Sequence, residues 1–281
     1  MPELLPIDDY RRIRDLLLER AGHDLGEGKE YLVESRLSIL AELRGLAGPA
    51  SLLERLKRFR ERSLEDALVE AMMTGETSFF RNPSVFQRMR FDVLPALFAS
   101  RSTSRRLRIW SAGCSTGQEA FSLAILILDH FPEARAWDVR IVATDISETA
   151  LRQAREATFN ATEVRRGLTD AQIQSHFVPL GLRWKLSEVV KGLVTFQKVN
   201  LVDPLPFESE FDVVFLRNVL IYFQANLKPR IFQAVRRSLR DDGYLFLGDS
   251  ETILGVSRDF VFPPGDLDYY RPALSDADLA E

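Results

Sequence analysis

From Arg105 onward the sequence alternates short β-rich runs with stretches of helical length, and this rhythm limits the possible folds more than any other feature. RLRIWSAG leads into TGQEAFSLAILILDHF and VRIVATDI into ETALRQAREATF; FDVVFLRN leads into NLKPRIFQAVRRSL, which DGYLFLGDS follows. Strands separated by helices of about 10–15 residues predict an α/β fold, a parallel sheet with helices on both faces. The tail FVFPPGDLDYYRP differs: two short apolar runs joined by Pro-Pro-Gly-Asp predict a hairpin at a sheet edge.

Before this rhythm begins, the period is helical. From about Ile7 to Met73, Ile13, Leu16, Leu17 and Arg20 recur at helical spacing, as do Leu32, Leu37, Leu40 and Leu43. These patterns divide the chain into a helical domain (1–75), a linker or lid segment (76–104) and a sheet domain (105–281). Within the last, residues from about 162 to 197 do not read as a crossover helix. They predict a small inserted subdomain of short antiparallel strands.

The 281 residues, 46% hydrophobic and 28% charged, suffice for one large and one small domain without disulfide or metal staples. Cys114 is the single cysteine, and His23, His130 and His176 share no ligand-like spacing, so no metal site is expected. A net charge of −4 argues against a general nucleic-acid binder. The N-terminus is charged where a signal peptide would be apolar, and Ala120–Leu128 is about half a bilayer span. A cytoplasmic, monomeric protein that is not membrane-inserted is the expectation.

Several segments carry residues suited to chemistry. Ala112-Gly113-Cys114-Ser115-Thr116-Gly117 follows a strand and precedes a helix; small residues there let backbone approach a ligand, although such turns also serve packing. It matches neither G-x-G-x-x-G nor the phosphate-binding lysine loop, so a pyrophosphate ligand is not favoured. Asp145 closes the next strand, where a carboxylate can accept from both ribose hydroxyls of a nucleoside or serve as a turn residue. Glu119, in the first turn of the helix after the loop, can meet an ammonium group or compensate the helix dipole. TGETSFFR, at positions 74–81, suggests a lid over the crevice, or aromatic glue between domains. Arg217-Asn218 and Asn200-Leu201 end two further strands, where ligands of open α/β sheets bind.

The set TGETSFFR, WSAGCSTGQEAFSLA, ATDIS, VNL, FLRNVLIYF and GDSE, in that order, resembles the CheR family of chemotaxis receptor methyltransferases along nearly the whole chain. The resemblance implies a Rossmann-like S-adenosylmethionine-binding sheet domain, an all-helical N-terminal domain and an inserted β-subdomain. Carried over by motif, Thr77, Arg81, Gly113, Glu119, Asp145, Asn200, Leu201, Arg217 and Asn218 would line the cofactor. Arg81 and Tyr222 would stand nearest the transferring methyl. Members often have Asn where this chain has Gly75, Pro-Tyr where it has Ala120-Phe121, and His where it has Asp249. The insert around Pro179-Leu180-Gly181 is short, so tethering to a receptor's C-terminal peptide is expected to be absent.

The implied reaction, protein-glutamate O-methylation with S-adenosylhomocysteine as product, suits a chain whose motifs hold no histidine. A glutamate with a pKa of about 4.3 is already an anion at neutral pH, so no general base is required. Positioning, on the order of 7–11 kcal/mol, and exclusion of water supply the rate. Phe79, Phe80 and Tyr222 are the expected dry wall. The partner would be the cytoplasmic signalling domain of a chemoreceptor, whose acidic helices would dock on Lys29, Arg36 and Arg44. The basic run of Arg55, Lys57, Arg58, Arg60 and Arg62 is either a second contact surface or a solvated face. A nucleic-acid or small-molecule methyltransferase and a non-catalytic cofactor sensor remain alternatives.

Overall fold

The computed structural model describes residues 5–59, 61–265 and 268–273, in two compact units. The first unit comprises the chain through Thr74 together with Tyr222–Leu227. Four helices form it: α1 (Ile7–Ala21), α2 (Glu30–Leu43), α3 (Pro49–Phe59) and α4 (Arg62–Met72). Each buries one apolar stripe. Tyr10, Ile13, Leu17 and Ala21 of α1 lie three or four residues apart, and on α2 Val33 and Leu37 are followed at three and four residues by Leu40 and Ala41. Each fully buried leucine contributes roughly 1.5–3 kcal/mol, so these stripes hold the unit together. Gly22 ends α1 in the left-handed conformation (φ 64°) with its N–H returned to Leu18, a cap a side chain would strain. Of the basic run, Arg60 lies outside the described residues.

The second unit begins at Gly75. Its opening segment is not an open linker. After Asn82 it forms α5 (Pro83–Arg88), a π-helical turn (Met89–Val93) and α6 (Leu94–Ser100). Val85, Phe86, Met89, Val93, Leu94 and Leu97 place this layer in the main core. Their spacing of three or four residues is the physical reason: it is the stripe of a core helix rather than of a mobile strap.

The sheet region follows as β1 (Arg106–Ala112), α7 (Gln118–His130), β2 (Asp138–Asp145) and α8 (Glu148–Glu156). Next come β3 (Thr158–Asn160), α9 (Ala161–Arg165), α10 (Asp170–His176), β4 (Phe177–Leu180) and β5 (Arg183–Leu186). The chain continues through α11 (Glu188–Lys191), β6 (Val194–Lys198), β7 (Phe211–Leu216), α12 (Lys228–Ser238) and β8 (Leu239–Leu247), and ends in β9 (Phe260–Val261) and β10 (Arg271–Pro272).

The main sheet has the order β6-β2-β1-β7-β8, and every pairing in it is parallel. The chain moves outward from β1 to β2 and β6, then crosses back to β7 and β8. The reversal between β1 and β7 is where the loops at the strands' carboxyl ends diverge and a crevice opens. Every residue of β7 is buried, as expected for a strand covered on both faces.

The insert is a three-stranded antiparallel sheet in the order β3-β5-β4. It runs from Thr158 to Leu186, earlier and shorter than the expected 162–197. Val194–Lys198 instead pairs in parallel with Ile141–Asp145. As an edge strand β6 buries only Val194 fully, so its sequence looks like the half-exposed strands of the insert. The tail forms the expected hairpin, with β9 and β10 antiparallel, and Tyr270 exchanges two backbone hydrogen bonds with Leu245 of β8. Residues 266 and 267, within the expected turn, lie outside the described residues. No helix among the described residues is long and apolar enough to cross a membrane.

Candidate functional site

The loops after β1, β2, β6, β7 and β8 carry most of the residues singled out by sequence. After β1, Gly113 and Cys114 donate their N–H groups to the Thr144 carbonyl at 2.7 and 2.9 Å, folding the chain back across β2. Gly113 has φ 70°, and a Cβ there would stand 2.3 Å from Cγ2 of Val219, so this position requires glycine. The turn brings Ser115 to Asp145, whose Oδ2 accepts the Ser115 N–H at 2.8 Å while Oδ1 accepts the Ser147 N–H at 2.9 Å. The cap of α8 is Ser147, which accepts from Ala150. Asp145 is thus held half-buried at the strand end. Burial, with Asp145 and Glu119 nearby, pushes the Cys114 thiol well above its ordinary range, so it is an inert packing group.

Glu119 and Arg217 meet. Oε2 of Glu119 accepts from Arg217 at 2.9 Å and Oε1 accepts from the Ser111 hydroxyl at 2.8 Å. Arg217 is 4% exposed; its other terminal nitrogen donates to the Arg81 carbonyl at 3.0 Å and to Oδ1 of Asn82 at 2.9 Å, while its Nε is buried with no hydrogen-bond partner among the described residues. Asn82 has φ 61° and passes a hydrogen bond on to Asp249. A chain of polar contacts therefore joins β1, β7, β8 and the segment before α5. It leaves Arg217 as a clamp on the turn that presents Arg81. Among the described residues the Arg81 guanidinium reaches only the Glu76 carbonyl, at 3.2 Å, and pairs with no carboxylate. It is a cation available to an anionic ligand.

Thr77 is half-buried, as are Asn200 and Asn218, and Leu201 is buried. Asn200 closes a turn by accepting from Asp203 on its carbonyl. Phe79 lies deep in the core, edge-to-face with Phe159 and Phe177 of the insert, and Phe80 packs on Phe86. Phe79 is therefore aromatic glue rather than a wall of the crevice. Gly75 lends its carbonyl to the Ser115 hydroxyl at 2.7 Å. Tyr222 belongs to the helical unit, where its ring stacks on His23 at 5.2 Å and its carbonyl accepts the Asp24 N–H at 2.8 Å.

Of the basic docking residues, Lys29 and Arg44 are exposed at opposite ends of α2. Arg36 is half-buried and donates to the Met72 carbonyl at 2.5 Å, tying α2 to the end of α4. Glu251 is the functional candidate that sequence reasoning passed over. Its carboxylate accepts four backbone N–H groups from the loops after β7 and β8. The motif GDSE contained it, but nothing in the residue types pointed to its partners. Among the described residues no group of three or more Asp, Glu, His or Cys side chains is arranged to hold a metal ion.

Comparison with known proteins agrees with this geometry. Residues 75–266 match the CheR methyltransferase SAM binding domain, and residues 8–73 match the CheR methyltransferase all-alpha domain. The chain is 37% identical over 253 residues to chemotaxis protein methyltransferase Cher2 of Pseudomonas putida, spanning 88% of this chain and 91% of that protein. It is 38% identical over 250 residues to chemotaxis protein methyltransferase 1 of Pseudomonas aeruginosa (87% and 90%). It is also 37% identical over 255 residues to a chemotaxis protein methyltransferase of Vibrio parahaemolyticus (90% and 92%).

Proposed function

The chain belongs to the CheR methyltransferase family, and from that premise we propose that it transfers the methyl group of S-adenosylmethionine to glutamate side chains of chemoreceptors, forming methyl esters. The observation that carries this reading is the Asp145 carboxylate held at the carboxyl end of β2 against the Gly113–Gly117 turn. There it can bind the ribose of the methyl donor and fix the nucleoside at the sheet's switch point. Thr77, Asn200, Leu201 and Asn218 would complete the cradle around the nucleoside. Glu119 and Arg217, paired to each other, would meet the ammonium and carboxylate of the methionine moiety.

The donor supplies an electrophilic methyl on a sulfonium. The carboxylate oxygen forms the new C–O bond as the C–S bond breaks, its electron pair leaves with sulfur, and S-adenosylhomocysteine results. No proton moves, so a site without a catalytic histidine is complete. Charge is neutralised as the two ions combine, which favours a dry, pre-organised site. Arg81, with no carboxylate partner among the described residues, would steer the glutamate, and Tyr222 would act beside the methyl, its ring held by His23. Lys29 and Arg44 would receive the acidic receptor helix, and the short insert would not tether a receptor's C-terminal peptide.

The test is incubation with radiolabelled S-adenosylmethionine and receptor signalling domains, with RNA in parallel. Label on the receptor that base releases as methanol is expected. Arg81→Ala should reduce it by about 100-fold with the circular dichroism spectrum unchanged. Label on RNA instead, or an Arg81→Ala enzyme of ordinary turnover, would refute the assignment.

A further inference from the structure

The turn after β7 shows how its reactive residues are held. Asn218 sits at φ 58°, a left-handed conformation that costs an ordinary side chain about 1–2 kcal/mol, and Leu220–Tyr222 then form a single 3-10 turn. Three successive N–H groups, from Asn218, Val219 and Leu220, point the same way. Such a nest of amides attracts an anion, and in a ligand-binding crevice it would compete for any carboxylate that enters. Here the chain fills it with its own carboxylate. Oε1 of Glu251 accepts from Val219 at 2.8 Å and Leu220 at 2.7 Å; Oε2 accepts from Asn218 and from Gly248, both at 2.7 Å. The fit leaves no slack. A Cβ on Gly248 would stand 2.6 Å from Nδ2 of Asn218 and 2.8 Å from Oε2 of Glu251.

We propose that Glu251 is a positioning residue for methyl transfer: its carboxylate occupies the amide nest after β7 and thereby sets where Asn218 and the turn leading into Tyr222 stand. This rests on the function proposed above. The role assigned to Glu251 is one of positioning, exerted through the turn. It acts through four charge-assisted bonds, each stronger than a neutral one, that hold the turn after β7 in one geometry.

Glu251→Gln tests it, because the shape is kept while one oxygen becomes an amide nitrogen that cannot accept. Two of the four N–H groups then lose their partner, either the Val219–Leu220 pair or the Asn218–Gly248 pair. The kcat for receptor methylation should fall about tenfold or more, with KM for the receptor fragment unchanged. In hydrogen exchange, the amides of Asn218, Val219 and Leu220 should lose protection while those of β1 and β7 keep it. Glu251→Asp, which retains the charge but is one methylene short, should fall between wild type and Gln. A Gln variant with wild-type kcat, or with the turn amides still protected, overturns the proposal. Should the wild-type protein methylate no receptor fragment, the receptor assignment fails. The exchange data and the affinity for S-adenosylhomocysteine, expected to drop about tenfold in the Gln variant, still decide the role of Glu251.

Discussion

Acid should loosen the helical unit through one residue, His23. It is 6% exposed, stacks on Tyr222 with an interplanar angle of 11°, and forms a β-bridge with Phe223. Burial, and then the charges of Lys29 and Arg36, push its imidazole down from 6.5 to about 4, with Asp24 opposing weakly. Because the folded value lies below the unfolded one, the unfolded chain takes up the proton first. The stability tied to neutral His23 is therefore complete above about pH 6.5 and is lost as pH falls toward 4. At about 1.4 kcal/mol per pH unit the full loss is about 3 kcal/mol, of which about 2 kcal/mol is gone by about pH 5. Urea denaturation followed by far-ultraviolet circular dichroism at about pH 7.5 and about pH 5 measures it against His23→Phe, which keeps a flat ring and carries no proton. Wild type should lose about 2 kcal/mol more than the variant over that interval. Equal losses would show that His23 is not held neutral by its surroundings and that the stack on Tyr222 does not depend on its charge state.

Three further outcomes are expected. Asp145→Ala removes the acceptor for two backbone N–H groups and the proposed acceptor for the ribose, and calorimetry should show S-adenosylhomocysteine affinity falling by about 100-fold. Gly113→Ala puts a methyl group 2.3 Å from Val219 at a positive φ; thermal unfolding should report a loss of roughly 1–3 kcal/mol, with weakened cofactor binding. Arg44→Glu, at the exposed end of α2, should raise KM for the receptor fragment while cofactor affinity stays unchanged; an unaltered KM would place docking elsewhere.

How much of this was legible in the sequence depended on how local each contact is. The central strands β1, β2 and β7 announce themselves because burial on both faces selects apolar stretches such as Ile109-Trp110, Ile141–Ala143 and Val213–Leu216. Positions at their carboxyl ends, Asp145 and Arg217-Asn218, follow from strand order alone. The segment 83–100 was legible as a helical stripe but was masked by the expectation of a lid. The edge strand β6 lacks the double burial that identifies a core strand, and so blurred into the insert. Partnerships were not legible. Arg217 meets Glu119 across 98 residues and Asn218 meets Glu251 across 33, and no period in the sequence encodes such pairings. Each of Glu119 and Arg217 has a plausible separate role as a cofactor contact, and only the fold shows that they also hold each other. Tyr222 likewise sits four residues from Asn218 in the chain, yet its packing partner is His23 of the helical unit.

Titration calorimetry with S-adenosylhomocysteine on the folded wild-type chain reaches the central claim most directly, since everything proposed requires the demethylated nucleoside to bind where the strands end. One saturable site per chain is predicted. Heats indistinguishable from dilution, from protein whose circular dichroism confirms a native fold, would contradict it.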